Sequence, residues 1–393
     1  MREFVQFSYR SPCLTLEKLL MKKSIIALAV LATSGAAMAQ SSVTLYGVVD
    51  AFAGYKKTTT VTAVGNRLVA SQASQTVIDS NGLNSSRWGL KGTEDLGGGM
   101  KAVFVLESGL SLDTGASASA TSLFNRQAFV GLDNSSFGTV SVGRQYSAYD
   151  SVRGTFLSAQ ANSTSFDATN GTQLSQANLN TVAAYANAAV RTPAQATAAA
   201  AVLSGAAIGS RIGAWAGYQT RIDNSIRYAT PSISGFQGAV VYGFGENKTA
   251  TTNATKSASA SLTYANGPIG IALVHAHDEP TSNFSVKNTA IGGYYDLGVA
   301  KAFVSFNRAK YSGFANQNEW AVGVRAPLGA TTLVAQYAQS KGDDLGKNQS
   351  LGLEAQYSLS KRTTAYAAFN QTKVEVLNNN KNSIVGLGVR HTF

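Results

Sequence analysis

The chain has 393 residues, of which 44% are hydrophobic and only 13% are charged, and its formal net charge is +11. Its mean hydropathy is close to zero. Beyond residue 39 no run approaches the roughly 20 apolar residues that a transmembrane helix needs, which excludes a helical inner-membrane protein. The basic residues are scattered over alternating segments instead of forming a basic helix or an RNA-binding aromatic motif, so nucleic acid is not an expected partner.

The N-terminal segment is typical of a secretory signal. Residues 21–39 (MKKSIIALAVLATSGAAMA) contain two lysines, an apolar core and small residues before Gln40, and the core is too short to span a bilayer. We expect residues 1–20 to be an over-extended start, with a long signal n-region as the alternative. Residues 21–39 are then the signal peptide, and residues 40–393 form a single barrel domain. The only cysteine, Cys13, precedes the signal, so the mature chain has no disulfide, thiolate metal site or cysteine nucleophile.

After the signal, stretches of about ten residues alternate between apolar and polar positions, which is typical of membrane-spanning β-strands. Seven short polar turns are predicted at 94–99, 134–138, 230–235, 266–268, 296–298, 326–329 and 358–362. Eight longer connections are predicted at 56–78, 111–122, 147–216, 246–256, 278–283, 310–317, 340–348 and 371–381. Fifteen connections join sixteen strands, with fourteen and eighteen strands as the alternatives.

The last strand shows the pattern most clearly, because Val385, Leu387 and Val389 alternate with small or polar residues and Phe393 ends the chain. In lipid every backbone N–H and C=O must find a partner within the protein, so the sheet must close. The predicted fold class is therefore all-β, a 16-stranded antiparallel transmembrane β-barrel. Its own side chains cannot fill a barrel of this width, so the lumen holds water.

The connection at 147–216 is far longer than the others, and loops of this length inside a domain are usually functional. We expect this third long external loop to fold into the lumen and narrow it. The alternative is that only its first part enters the barrel, while the alanine-rich remainder decorates the exterior.

Alternation also predicts which charged side chains face the water. Arg87 and Lys91 share one face of their strand, whereas Trp88 and Leu90 occupy the other, so the two basic residues should point into the lumen. In the segment 221–229, one face carries the four residues Arg221, Asp223, Ser225 and Arg227. Both arginines of that face are predicted to be lumenal.

For three other charged residues the pattern is less direct. Glu107 and Arg126 each alternate with apolar or small residues, so alternation alone does not decide their side. Arg144 is in phase with Val140 and Val142, the outward face, where a cation in lipid would be costly. We therefore assign Arg144 to a buried subunit contact.

Several segments resemble one known family in order and in sequence. They are VTLYGVVDAF (43–52), SSRWGLKGTEDLGGGMKAVFVLESG (85–109), FNRQAFVGL (124–132), FGTVSVGRQYSAYD (137–150), NSIRYATPSISGF (224–236), VVYGFGEN (240–247) and VGLGVRHTF (385–393). The chain resembles the general diffusion porins of Gram-negative outer membranes, in particular the neisserial type. The resemblance implies a homotrimer whose third external loop folds inward, opposite an arginine cluster, and it places Glu107 and Arg126 in the lumen. The alanine-rich stretch after Asp150 departs from the family.

The predicted function is an outer-membrane channel for passive diffusion of small hydrophilic solutes and ions. Arginines on one wall and a carboxylate such as Asp150 on the loop would set a transverse field across the water. Residues 1–39 contain five basic and two acidic residues, so the mature chain keeps 27 basic and 19 acidic residues, a net charge of +8 that favours weak anion selectivity.

Two other functions remain as alternatives. The enlarged third loop could carry a recognition site, which would make the protein a substrate-specific channel. A barrel hydrolase needs a base beside a nucleophile, but the mature chain has only His275, His277 and His391, and no ligand cluster accompanies them. We predict no enzyme activity, no cofactor and no metal.

Overall fold

The computed structural model describes residues 42–160, 164–169, 190, 192–195, 215, 218–246, 248–251, 253–281, 284–312, 316–342, 346–375 and 380–393. The predicted signal and most of the alanine-rich part of the third loop lie outside the described residues. No helix in the described part of the chain is long and apolar enough to cross a membrane.

The described residues contain seventeen strand segments. These are β1 (Ser42–Val64), β2 (Arg67–Ser80), β3 (Arg87–Gly97), β4 (Met100–Gly109), β5 (Gln127–Asn134), β6 (Gly138–Tyr146), β7 (Arg221–Ala229), β8 (Phe236–Phe244), β9 (Lys256–Asn266), β10 (Ile269–Thr281), β11 (Phe284–Asp296), β12 (Lys301–Tyr311), β13 (Gln317–Leu328), β14 (Thr331–Gly342), β15 (Gly346–Ser358), β16 (Thr363–Val374) and β17 (Asn380–Thr392). A short helix, α1 (Ala148–Val152), and a π-helical turn (Arg153–Leu157) follow β6.

The strands form one closed antiparallel sheet, because β1 pairs with β17 from Val48↔Thr392 to Lys57↔Ser383. The first residues of β1 pair with β3, and its later residues pair with β2. The segments β2 and β3 are thus two parts of a single barrel strand, interrupted between Ser80 and Arg87. The barrel therefore has sixteen strands, as predicted, and no sheet edge is left open to lipid.

The predicted short turns are all confirmed, but the long connection predicted for 56–78 is wrong. There β1 and β2 continue as a hairpin that ends at a tight turn, where Val64 pairs with Arg67 and Gly65 has a φ of 60°. The hairpin sequence has threonines and serines on both faces, and for that reason its residues suggested a loop. A hairpin needs no apolar face once its strands extend beyond the lipid.

The two faces of the sheet differ in chemistry. Large apolar side chains are exposed on the outward face, for example Leu273, Ile291 and Leu387, which is 69% exposed. Their inward neighbours, such as Ala290 and Asn307, are small or polar and buried. This alternation gives an apolar exterior around a polar interior.

The break between β2 and β3 is held by one carboxylate. Asp50, on β1, accepts hydrogen bonds from the backbone N–H groups of Gly82, Leu83 and Asn84 at 3.1, 2.9 and 2.8 Å. The hydroxyl of Tyr366 donates a further hydrogen bond of 2.5 Å. Asp50 is fully buried, so these four donors compensate the loss of water around its charge.

Candidate pore constriction

The third long loop turns inward as soon as β6 ends. The hydroxyl of Ser147 accepts a hydrogen bond from the N–H of Asp150 (3.2 Å) and caps α1, as serine commonly does. The N–H of Ala148 donates to the hydroxyl of Ser259 on β9 (2.9 Å). Both Ser147 and Ala148 are buried, so α1 lies against the inner wall of the barrel.

The loop then crosses the inner faces of later strands. The carbonyl of Leu157 accepts a hydrogen bond from Ser305 on β12 (2.8 Å), and the carbonyl of Ala159 accepts one from Arg325 on β13 (2.5 Å). The side chain of Gln160 donates to Glu354 on β15 at 2.8 Å. These contacts fix residues 157–160 inside the lumen.

An aromatic contact anchors the far side of the same loop. The ring of Phe166 packs against Phe52 on β1 and Tyr366 on β16, with ring centroids 5.0 and 6.4 Å apart. Phe166 is fully buried in this cluster, which also contains Leu83. The loop therefore spans the barrel from β9 to β1, and its first part enters the lumen as the sequence predicted.

Glu107 on β4 is the centre of a charged cluster on the wall that the loop leaves uncovered. Its carboxylate forms ion pairs with Arg87 at 3.3 Å and with Arg126 at 2.7 Å. It also accepts hydrogen bonds from the hydroxyls of Tyr46 (3.1 Å) and Tyr146 (3.2 Å). A carboxylate that is only 3% exposed is stable in this position because each oxygen has charged and neutral donors.

Two tyrosine side chains link basic side chains to this cluster. Arg126 donates a hydrogen bond of 2.6 Å to the hydroxyl of Tyr146, and the guanidinium of Arg221 lies 5.1 Å from the centre of the Tyr146 ring. The ammonium of Lys91 lies 5.3 Å from the centre of the Tyr46 ring. These distances are within the range of cation–π attraction. The predicted basic residues Arg87, Lys91, Arg126 and Arg221 therefore come together around one carboxylate.

Asp150 brings a second carboxylate to this region from the loop. Its Oδ1 accepts a hydrogen bond of 2.6 Å from the hydroxyl of Tyr218. Burial raises the pKa of Asp150 above the usual value, although the Tyr218 hydrogen bond and the positive charges of Arg153, Arg221 and Arg126 act in the opposite direction. The loop carboxylate thus lies within the electrostatic reach of Arg126 and Arg221.

An internal ion pair closes the loop on itself. Arg153 Nη2 lies 2.7 Å from Asp167 Oδ2 and donates a hydrogen bond of 2.6 Å to the carbonyl of Thr169. Burial lowers the pKa of Arg153, but the adjacent Asp167 carboxylate outweighs this and holds that pKa above the usual value. The pair joins the start of the loop to the segment 164–169, so the loop has a defined shape.

A cavity of about 530 Å³ lies between the loop and the wall formed by β1 and β3–β7. Lys91 and Arg227 contribute to its lining from the wall, and Ser151 contributes from α1. The cavity is a water-accessible space that borders the basic cluster.

The comparison with known proteins identifies the family of this barrel. The family model described as Gram-negative porin matches residues 26–377. This chain belongs to the Gram-negative porin family. An outer membrane porin of Bordetella pertussis is 31% identical over 431 aligned positions, which cover 95% of this chain and all of that protein. Outer membrane porin protein 32 of Delftia acidovorans is also 31% identical, over 95% of this chain and 94% of its own length.

Solved porin structures have the same fold. An anion-selective porin from Comamonas acidovorans superposes with a TM-score of 0.67 at 25% identity, covering 90% of this chain and 100% of that chain. The family match and the closed barrel together establish that this porin forms a channel across the outer membrane of a Gram-negative bacterium. The resemblance stated from the sequence is confirmed.

One predicted face of the porin wall is wrong. Alternation placed Asp223 on the same face as Ser225, but the side chain of Asp223 is 62% exposed and pairs with Arg144, whereas Ser225 is buried. The cause is an irregularity in the pairing of β6 with β7, where Asn224 adopts a φ of 48° opposite Arg144. A bulge of this kind shifts the alternation by one residue, which periodicity alone does not reveal.

Arg144 itself occupies the outward phase that the sequence predicted. It pairs with Asp223 and donates a hydrogen bond of 2.8 Å to the carbonyl of Asn125. Its strand neighbours Val140 and Val142 are 44% and 49% exposed, which marks this as the outer surface of the single subunit.

Sequence reasoning missed several polar residues of the interior. Tyr46 and Tyr146 connect the charged cluster, Arg153 and Asp167 shape the loop, and Arg390 donates a hydrogen bond of 2.7 Å to the side chain of Asn84. Tyr46 could have been predicted from the sequence, because it shares one face of β1 with Thr44 and Val48, each two residues away. The Arg153–Asp167 pair was not, because no periodic pattern relates two residues of an irregular loop.

Proposed function

We propose that this porin passes small hydrophilic solutes and inorganic ions by diffusion, with a weak preference for anions and without catalytic activity. The observation that carries the proposal is the excess of positive charge around Glu107. Arg87 and Arg126 pair with its carboxylate, Lys91 and Arg221 lie on the adjacent tyrosine rings, and Arg227 lines a cavity together with Lys91. A water-filled constriction with a net positive wall raises the local concentration of anions and lowers that of cations.

The arrangement of the charges supports a transverse field. The guanidinium groups of Arg87, Arg126 and Arg221 belong to the barrel wall, whereas Asp150 belongs to the loop. A polar solute can align its dipole between the two sides, whereas an apolar solute loses water contacts without gaining compensating interactions. The pore-lining set that we propose is Arg87, Lys91, Glu107, Arg126, Asp150, Arg221 and Arg227.

The barrel is proposed to assemble as a homotrimer, which the resemblance to neisserial-type porins implies. The outward ion pair of Arg144 with Asp223 supports a contact on this side, because a pair of charges facing hydrocarbon would be costly. A subunit partner would remove the pair from lipid. Single-channel recordings test this directly, since a trimer of pores closes in three equal steps.

Reversal potentials in planar bilayers under a salt gradient test the selectivity. The reversal potential of the wild-type protein should have the sign of an anion-selective channel. The triple variant R87Q/R126Q/R221Q should lower the anion-to-cation permeability ratio severalfold. A variant of the exposed Arg362, R362Q, lies in the β15–β16 turn and serves as the control. Clear cation selectivity of the wild type would contradict the proposal.

A further inference from the structure

The inner wall of the barrel carries an apolar patch between the charged cluster at Glu107 and the short turns. Val103 and Val105 are in phase with Glu107 on β4, and Val105 pairs directly with Phe129 on β5. All three apolar side chains line the cavity of about 530 Å³, and all three are half-buried. We call Val103, Val105 and Phe129 the apolar floor. Alternation places this floor towards the lumen and away from lipid.

Large apolar side chains elsewhere on the inner wall are covered by the third loop. Val274 on β10 belongs to a buried cluster with Leu157 of the loop, and Phe303 on β12 belongs to a buried cluster with Ala159. Among the described residues, none of the buried apolar clusters contains a residue of the apolar floor. The floor is therefore apolar surface that the loop leaves open to the lumen. Apolar surface of this kind inside a concave cavity is typical of a site for a ligand.

A basic side chain lies on each side of the apolar floor. Lys91 on β3 pairs directly with Val105. On the other side Arg227 on β7 pairs with Ser141 on β6, which in turn pairs with Gly131 on β5. The strands β3 and β7 are four steps apart in the sheet, which corresponds to about 19 Å between their backbones. Both basic side chains line the cavity, so a solute on the floor lies between two cations.

No carboxylate pairs with either cation in the part of the chain that the structure describes. Lys91 and Arg227 form no ion pair there. The carboxylate in the cavity lining belongs to Asp133, which lies near the short turns and directly opposite Lys101. After the predicted signal, the residues outside the described ranges include two acidic ones, both within 343–345. That segment belongs to a long connection, whereas the cavity lies towards the short turns.

An anion with an apolar body fits this cavity better than an inorganic ion does. A hydrated inorganic anion gains nothing from an apolar floor, and a neutral ring gains nothing from the two cations. An aromatic carboxylate uses both features, because its ring removes apolar surface from water and its carboxylate can bind a guanidinium through two parallel hydrogen bonds. The cavity volume of about 530 Å³ lies within the usual range of small-molecule sites, about 300 to 1,000 Å³.

We propose that this cavity is a subsite for aromatic monocarboxylates, such as benzoate, on the short-turn side of the constriction. The aromatic ring packs on the apolar floor, and the carboxylate accepts charge-assisted hydrogen bonds from Arg227 or Lys91. Binding is weak and brief, because one face of the ring remains in contact with the water of the lumen. The inference rests on the proposed diffusion of small solutes and ions, because the acid must enter the lumen to reach the floor.

The experiment uses the whole protein in planar bilayers with potassium chloride on both sides. Benzoate is added in steps, and the decrease of the single-channel current gives the concentration for half-maximal block. Acetate and benzyl alcohol are the comparison solutes, because acetate lacks the ring and benzyl alcohol lacks the charge. The test variants are R227Q and V103T/V105T, in which threonine keeps the branched shape of valine and replaces a methyl group with a hydroxyl. The matched control for R227Q is R362Q, because Arg362 is exposed in the β15–β16 turn.

Benzoate should block the wild type and R362Q at the same concentration. R227Q should need about 10-fold more benzoate, since a hydrogen bond to a charged group contributes about one tenfold step or more. V103T/V105T should need severalfold more, because its floor is less apolar. Half-blocking concentrations that are equal for the wild type and either test variant would overturn the inference. Block by acetate or by benzyl alcohol at the concentration of benzoate would also overturn it, because the site would then recognise only the charge or only the ring.

Failure of this inference is distinguishable from failure of the proposed function. Reversal potentials recorded without organic acid report the selectivity, and the benzoate titration reports the subsite. An anion-selective wild type whose current benzoate leaves unchanged would contradict the subsite alone. A cation-selective wild type that benzoate still blocks, with the expected loss of block in both test variants, would contradict the proposed selectivity and support the subsite.

Discussion

Glu107 Oε1 lies 2.7 Å from Arg126 Nε, although Glu107 is on β4 and Arg126 precedes the first residue of β5. The N–H of Arg126 also donates to the carbonyl of Glu107 at 3.1 Å, so backbone and side chain bind the same residue. This double contact fixes the guanidinium at the entry of the strand. It also makes Glu107 the residue whose charge balances the basic wall.

The substitution Glu107→Gln should increase the anion preference. It removes one negative charge and keeps one oxygen, which can accept the hydrogen bond of either Tyr46 or Tyr146. The loss of a buried partner from a charge pair also costs about 3 kcal/mol of folding stability. Reversal potentials under a salt gradient check the selectivity, and the urea concentration at the unfolding midpoint checks the stability.

Glu246→Gln provides the control for this variant, because Glu246 is exposed after the end of β8. It changes the net charge by the same amount without touching the cluster. If the two variants shifted the reversal potential equally, the local role of Glu107 would be refuted.

The selectivity of the channel should depend on pH through Asp150. Since burial raises the pKa of this carboxyl, it takes up a proton at a higher pH than an ordinary aspartate, whose pKa is about 3.9. As the pH falls through the raised value, the constriction loses a negative charge and the anion preference increases. Reversal potentials measured from neutral pH downward should show this change in the wild type, and D150N should show the high anion preference at every pH.

The raised pKa of Asp150 also makes the unfolding free energy depend on pH. Because the folded pKa lies above the unfolded one, the protonated carboxyl contributes stability that is fully present below about pH 3.9 and is lost as the pH rises through the folded value. Replacement by asparagine should remove this pH-dependent part of the unfolding free energy. A wild-type profile identical in shape to that of D150N would show that Asp150 does not titrate in this range.

The loop should lose its defined shape when Asp167 is replaced by asparagine. The substitution removes the charge that faces Arg153, and the guanidinium stays buried beside Thr169. A buried charge without its counter-charge is unfavourable by about 3 to 5 kcal/mol, so the segment 164–169 should detach from the π-helical turn that contains Arg153. We expect larger fluctuations of the open-channel current and faster proteolysis within the loop.

The double variant Arg153→Gln/Asp167→Asn is the control for Asp167→Asn. It removes both charges together, so it should disturb the channel less than the single change at Asp167. Current noise that is equal in the single and double variants, and equal to that of the wild type, would mean that the ion pair does not hold the loop.

The barrel could be predicted from the sequence because its signal is repeated in every strand. Alternation that is weak in one segment becomes decisive over sixteen, and short turns mark one side of the sheet. The pattern failed where the backbone departs from a regular strand. Asp223 changes face because Asn224 lies in a bulge. Alternation left the side of Arg126 open, and this residue, which precedes β5, contacts Glu107. Periodicity describes regular strands and not their irregularities.

The loop shows a different limit of sequence reasoning. Its length predicted insertion into the lumen, but its partners lie more than a hundred residues away, as for Ala159 with Gln336 (2.6 Å) and Phe166 with Phe52. Such contacts depend on where the closed sheet places its inner face. They follow from the fold and not from any local pattern, so the contacts of the constriction could be named only in part.

The last prediction concerns the anchor of the interrupted strand. Asp50→Asn should destabilise the barrel more than Tyr366→Phe. The first change replaces a charged acceptor of three backbone N–H groups with an amide, one side of which is itself a donor. The second removes one donor and leaves those three bonds in place, at a cost of about 1.5 to 3 kcal/mol for a hydrogen bond to a charged group. Unfolding midpoints in urea rank the stability of the two variants. If Tyr366→Phe lost as much stability as Asp50→Asn, or more, the interruption between β2 and β3 would be held by the aromatic cluster around Phe166 instead of by the Asp50 carboxylate.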